Sequence, residues 1–309
     1  VTSLKTVGIV LVLATACSAP RTSSTTSEGA SPATPIAIPF TYVGGHSISI
    51  PVEVGSRPSR FILDTGIGLN LVSRDLAARV GSRDEGKSYT GKRMSGQAVT
   101  VPLVRVPSLA VGPRRREDAV VGVLEMSDFA PDCEGIEGFV GLEFFDSQPF
   151  TVDYRAQTIV LETEASLAVR VASGAVVPVH LERDERTVDA FIDLSVPGGG
   201  PARVEVDTGS NSLILDARYR SRLGIQDGAD GVTTREGKDE TGHLFKRTFA
   251  RIHGSVSLVA APGIEQRDPE AMFQEIVHDG LVGDAFLRSF VVTFDLPHER
   301  MIFAGKSAR

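Results

Sequence analysis

Two aspartates stand in the same unusual setting. Asp64-Thr65-Gly66 lies between Phe61-Ile62-Leu63 and an apolar run at residues 69–72, and Asp207-Thr208-Gly209 lies between Val204-Glu205-Val206 and Leu213-Ile214-Leu215. An ionised carboxylate wedged between strand-like apolar runs is costly unless it is paired or hydrogen-bonded, so two acids in matching settings are expected to meet. Two carboxyls at hydrogen-bond distance cannot easily both ionise, and they share one proton. The ionised member can take a proton from water while the protonated member polarises a carbonyl, which is hydrolysis without a covalent intermediate. One Asp-Thr-Gly alone would be a tight turn after a strand; here its surroundings repeat as well.

Beyond each tripeptide, the segment from Ser73 to Gly81 matches the segment from Asp216 to Gly224, each with an N-cap residue, a short helical stretch and a terminating glycine. Gly138-Phe139-Val140-Gly141 matches Gly280-Leu281-Val282-Gly283, and Phe150-Thr151-Val152-Asp153 answers Val292-Thr293-Phe294-Asp295. The chain is therefore read as a duplication, with lobes at residues 36–165 and 175–306 and an Ala- and Ser-containing boundary between them. A hairpin of alternating strands leads into the acid of each lobe. Each lobe then has a glycine-punctuated segment, residues 89–96 and 237–242, which is an ordinary hairpin or a mobile one covering a cleft.

The chain has 309 residues, 41% of them hydrophobic, enough to bury a sizeable core. A net charge of -7 argues against a nucleic-acid partner. The one basic run, Arg114-Arg115-Arg116, sits between Gly112-Pro113 and Glu117-Asp118 and reads as a solvated hairpin loop. The six His are scattered without metal-ligand spacing, so no metal site is expected. His-Glu-x-x-His, paired-Cys and Gly-x-Ser-x-Gly signatures are absent, and residues 231–238 have the wrong spacing for a phosphate loop. Asp153 and Asp295 precede turns and read as turn caps. Cys133, flanked by Asp132 and Glu134, reads as a small apolar filler, because a reactive thiol needs an electropositive setting.

At the N-terminus, Lys5 precedes an apolar stretch at residues 7–14, too short to span a bilayer and of the size of a signal-peptide core. It ends in Ala14-Thr15-Ala16-Cys17, which resembles a bacterial lipobox. That resemblance implies a signal peptide over residues 1–16, export, and lipidation of Cys17 at the cell envelope, on the periplasmic or surface side, with Ser18 favouring the outer membrane. Residues 17–35 carry Ser, Thr, Ala and Pro with little apolar content and read as a disordered tether.

Two Asp-Thr-Gly turns, each followed in its lobe by an apolar-apolar-Gly element (Phe139-Val140-Gly141 and Leu281-Val282-Gly283), resemble the aspartic proteases, both the two-lobed pepsin type and the single-lobe retroviral type. The resemblance implies an all-β fold of two pseudo-symmetric β-barrel lobes with short helices. It implies an aspartic endopeptidase acting on a peptide or protein substrate through Asp64 and Asp207, without a cofactor, and a monomer because both lobes lie in one chain. It also implies that Thr65 and Thr208 cross-bond between lobes, that Gly66 and Gly209 admit close approach to the dyad, and that Tyr89 and Gly91 belong to a substrate flap. Ser210 is placed for its hydroxyl to bond the outer oxygen of Asp207 and favour its charge; lobe one has Ile67 there, where the pepsin type has Ser or Thr. On that reading Asp207 carries the charge and Asp64 the proton. Ile67 also feeds a rival reading, a non-catalytic envelope lipoprotein that binds a peptide in the same cleft. A glycosidase would use paired carboxylates too, but set apart, and the chain has no Trp for a sugar to stack on.

Overall fold

The computed structural model describes residues 34–126, 133–238 and 244–306. The segment read as an export signal, Cys17 and all but the last two residues of the segment read as a tether lie outside the described residues, as do Asp239 to Gly242 of the second glycine-punctuated segment. In lobe one, strand Ser47–Val54 pairs antiparallel with Arg57–Leu63; in lobe two, Val188–Val196 pairs antiparallel with Gly200–Val206. Side chains alternate across a strand. Ile48, Ile50, Val52 and Val54 of lobe one and Ala190, Ile192, Leu194 and Val196 of lobe two belong to one continuous core, while Asp64 and Asp207 line a cleft. Gly138–Val140 lies parallel to the strand delivering Asp64, and Gly280–Val282 lies parallel to the strand delivering Asp207. The Asp64 N–H donates to Val140 O and the Asp207 N–H to Val282 O, both at 3.0 Å.

A six-stranded sheet joins the lobes, in the order Ile36–Pro39, Thr158–Leu161, Phe150–Asp153, Phe290–Asp295, Arg300–Lys306 and Ala175–Pro178. Its two central strands are the repeated segments themselves, paired antiparallel with Thr151 opposite Thr293. The two buried hydroxyls are 2.7 Å apart, and the Phe150 and Phe294 rings stack at 4.8 Å. The pseudo-two-fold axis passes between them. The duplication is thus less separable than two barrels, because each lobe gives three strands to a common sheet. Residues 165–174, read as a boundary, form most of the helix Glu164–Ser173, whose start is fixed by reciprocal hydrogen bonds between Thr163 and Ser166.

The halves also diverge. Lobe one has unbroken strands Ala98–Val111 and Arg114–Leu124; lobe two splits the counterparts into Leu244–Arg251 with Ser255–Leu258 and Ala261–Arg267 with Glu270–Gln274. Pro269, with no N–H to donate, stands at the second break, and Asp268 beside it has φ 45°. Ser73 caps the helix Arg74–Arg79 by accepting from the Leu76 N–H at 3.0 Å. Asp216 does not do the same: it accepts from the Arg218 and Ile276 N–H groups, and a single turn, Tyr219–Arg222, starts later without a side-chain cap. Asp153 caps its turn through the Arg155 and Ala156 N–H groups, but buried Asp295 instead pairs with Arg300 Nε at 2.6 Å and His298 Nδ1 at 2.8 Å. Arg114-Arg115-Arg116 is not a solvated loop. It begins a strand, Arg115 pairing with Glu53, Arg116 with Glu143, and Arg114 donating to Phe144 O. Cys133 packs at the margin of the lobe-one apolar cluster. No helix among the described residues is long and apolar enough to cross a membrane.

Candidate active site

Both Asp-Thr-Gly turns sit at the floor of a cleft of about 830 Å³ between the lobes. Their threonines are fully buried and cross-bonded. Thr208 Oγ1 accepts from the Thr65 N–H at 3.1 Å and donates to Leu63 O at 2.8 Å; Thr65 Oγ1 accepts from the Thr208 N–H at 3.0 Å and donates to Val206 O at 2.6 Å. Every polar atom of the two hydroxyls is used across the lobe boundary, which fixes the turns relative to each other. Each carboxylate then accepts from the glycine of its own turn, Asp64 from the Gly66 N–H at 3.0 Å and Asp207 from the Gly209 N–H at 2.8 Å. Each also lies against the opposite glycine. A Cβ on Gly66 would stand 2.7 Å from the Asp207 carboxyl carbon, and one on Gly209 would stand 2.5 Å from that of Asp64. Glycine at these two places is what lets the carboxyls meet.

The pair is not electrically even. Burial, and then the charge of Asp207, hold Asp64 well above the ordinary carboxylate range. Burial raises Asp207 too, but the Gly209 N–H, a hydrogen bond from Asp64, the Ser210 backbone N–H and the His46 charge oppose it. The shared proton therefore rests on Asp64. The Ser210 hydroxyl, to which the sequence reading gave this asymmetry, accepts from the Ser212 N–H at 3.4 Å; Ser210 acts on Asp207 through its backbone N–H, after Gly209 and Asp64. Ile67 packs its side chain towards Gly141.

Strands Arg83–Lys92 and Ala98–Val111 form a hairpin over the cleft, turning at residues 93–97. Its tip touches lobe two, where the Val277 N–H donates to Met94 O at 3.0 Å and Met94 packs on Ile214, Met272 and Leu281. Tyr89 and Gly91 line the cleft, but the Tyr89 hydroxyl donates to Asp184 across the lobe boundary at 3.3 Å.

Three cleft groups were not singled out from sequence. His46 Nε2 donates to Gly209 O at 3.3 Å, and Glu205 and Asp189 line the cleft beside Asp207. Overlaying the two halves would have found Glu205, since it interrupts Val204-Glu205-Val206 where lobe one has Phe61-Ile62-Leu63. His46 carries no such signal. Among the described residues no cluster of His, Cys, Asp and Glu is arranged to hold a metal ion.

The aspartyl protease family model matches residues 50–144, which contain the first Asp-Thr-Gly and the hairpin. No curated protein matches the chain. Among solved structures, basic 7S globulin from soybean shares the fold at a TM-score of 0.55 and 9% identity, over 88% of this chain and 95% of that one. Conglutin gamma, a basic 7S globulin from lupine seeds, does so at 0.52 and 10%, over 89% and 95%. Both have the two-lobed aspartic protease fold and both are named as globulins, so the likeness carries architecture and not activity. The family model thus covers the first lobe, and the solved structures share the fold across both lobes.

Proposed function

We propose that the protein is an aspartic endopeptidase whose Asp64–Asp207 pair activates a water for attack on a peptide bond. The observation that carries the reading is the mutual seating of the two carboxyls, each against the other's glycine, at the floor of a hairpin-covered cleft. Ionised Asp207 takes the proton of the water, and protonated Asp64 donates to the carbonyl oxygen as the tetrahedral diol forms. Collapse of the diol returns a proton to the leaving nitrogen. An extended peptide fits beneath the hairpin, its backbone pairing as an added strand and its side chains alternating between pockets.

Cleavage of a diverse library of internally quenched peptides from pH 3 to 7 tests this. Asp64→Asn and Asp207→Asn are each expected to lose at least about a hundredfold in kcat/KM. Retention of activity in either variant would move the chemistry to another centre. A second reading, peptide capture without hydrolysis, is favoured by the hairpin tip lying closed on lobe two. It requires that the parent bind peptides from the library and cleave none.

The reading extends to export and lipid anchoring at Cys17 in a bacterial envelope, outer membrane preferred, supported by the small residues before Cys17 and the tether after it. Labelled palmitate should enter the parent and not Cys17→Ser, and the variant should leave the membrane fraction. Equal labelling of both would remove the anchor from the proposal.

A further inference from the structure

The cleft floor is where the duplication is least faithful. In lobe one Ile62 pairs across to Phe139 and Leu71 stands at its other side; in lobe two the corresponding trio is Glu205, Leu281 and Ile214. An acid has replaced an aliphatic residue in an otherwise apolar patch. Its side chain is half-buried and lines the cleft. It makes no hydrogen bond or ion pair among the described residues, and the groups acting on it most strongly after burial are all acids: Asp207, Asp189, Asp64 and Glu182. Asp189 shares its face. Phe191 lies opposite Glu205, so Asp189, two residues earlier, points the same way, and its Oδ1 comes within 3.1 Å of where a Cβ on Gly68 of lobe one would be.

The cations and imidazoles of the cleft are engaged elsewhere or stand on the hairpin. Arg247 Nε donates to Gln274 Oε1 at 2.8 Å with its guanidinium 4.0 Å from the Phe245 ring centre, His46 holds Gly209 O, and His278 packs on Phe191. Lys92 and Arg93 belong to the hairpin. A desolvated carboxyl without a counter-charge is held neutral at a cost to the fold. Accordingly burial and the neighbouring acids push Glu205 well up, and burial with Glu182 and Asp184 pushes Asp189 to about 6.

We infer that Glu205, with Asp189, is a specificity-determining subsite for a Lys or Arg side chain of the substrate, on the lobe-two side of the bond held over Asp64 and Asp207; this rests on the peptide-hydrolase reading. The patch suits an amphipathic side chain. Ile214 and Leu281 can pack the methylene stem while the two carboxylates receive the charged end. A cation entering this subsite displaces protons from Glu205 and Asp189, so affinity for basic peptides rises with pH through about 6, and binding releases protons.

The test uses peptide pairs differing only in Lys against norleucine, which keeps the stem and deletes the charge, scanned along an internally quenched sequence. Cleavage is measured with the whole chain, and affinity by fluorescence anisotropy with the Asp64→Asn protein, which holds the peptide uncut. At one position the Lys peptide should exceed its twin at least tenfold in kcat/KM and in affinity at pH 7. That preference should vanish in Glu205→Gln, which preserves shape, and in Glu205→Ile, which installs the lobe-one residue. Equal treatment of the twins by the parent at every position, or an unchanged preference in both variants, overturns the inference. If the parent cleaves nothing, the hydrolytic reading falls while the anisotropy still decides the subsite: a charge preference lost on replacing Glu205 upholds it, and none overturns it.

Discussion

In lobe one the residue two before the acid is Ile62, and in lobe two it is Glu205; yet the acids that follow them are held by hydrogen bonds of the same length to Val140 O and Val282 O. The same division recurs across the molecule. The threonine cross-bonds differ by about 0.2 Å or less between halves, and the central strands meet with Thr151 against Thr293. The cleft face, the long strands and the second short helix have drifted apart. Places where both lobes must present a carboxyl to one point tolerate little change, because each hydroxyl there satisfies atoms of the other lobe. Places where neither lobe satisfies atoms of the other have no such reason to match.

The sharpest way to break that symmetry is at the threonines. Thr65→Val takes the acceptor from the buried Thr208 N–H and a donor from Val206 O, and Thr208→Val takes the acceptor from the buried Thr65 N–H and a donor from Leu63 O. At roughly 1–3 kcal/mol for each group that loses a partner, each variant should lose about 4 kcal/mol of unfolding free energy. Denaturant titration should give nearly equal losses. A difference between the two larger than about 1.5 kcal/mol would mean that one lobe carries the grip.

How much of this was open to sequence depended on whether a pattern carried its own partner. The tripeptides, the apolar-apolar-Gly elements and the helix after Ser73 are local and repeated, so their existence could be read directly. That Ile36–Pro39 pairs with Thr158–Leu161 in a sheet shared with lobe two could not; alternation marks a strand but names no neighbour. Residues 165–174 lost the strand pattern because they are helical, with Leu167 the residue of that helix that is buried, so little apolar periodicity marked them. Asp216 was misread as a cap because the chain position matched Ser73; its carboxylate is instead drawn to the Ile276 N–H, a contact 60 residues away. The acids flanking Asp207 were visible as letters, but their meeting depends on the register Phe191 opposite Glu205.

A pH titration sharpens the electrostatic half of the comparison. Asp189 stands where the lobe-one register places Ser47, a residue with no charge to lose. Its carboxyl, raised to about 6, binds a proton in the folded protein at pH values where the unfolded chain has released it. Its contribution is therefore fully present below about pH 4, the ordinary carboxylate value, and is lost as pH rises to about 6. Asp189→Asn should remove a fall of about 2 kcal/mol, allowing for the partial exposure of the group to the cleft. Unfolding free energies at pH 4, 5, 6 and 7 would show the variant gaining on the parent across that window and holding a constant lead above it. A constant difference at all four pH values would mean that Asp189 keeps an ordinary carboxyl in the fold.

The smallest expected effect separates the two short helices. Ser73→Ala removes the acceptor of the Leu76 N–H at a helix start and should cost about 1 kcal/mol. Asp216→Ala touches no cap; it frees the Arg218 and Ile276 N–H groups, the second of them next to Val277, on which the hairpin tip rests. Its consequence should therefore appear at the cleft, as faster amide hydrogen exchange at Val277, whereas Ser73→Ala should leave that amide unchanged and speed exchange at Leu76. Matching exchange patterns in the two variants would mean that the halves are still equivalent at this turn and that the hairpin contact is independent of it.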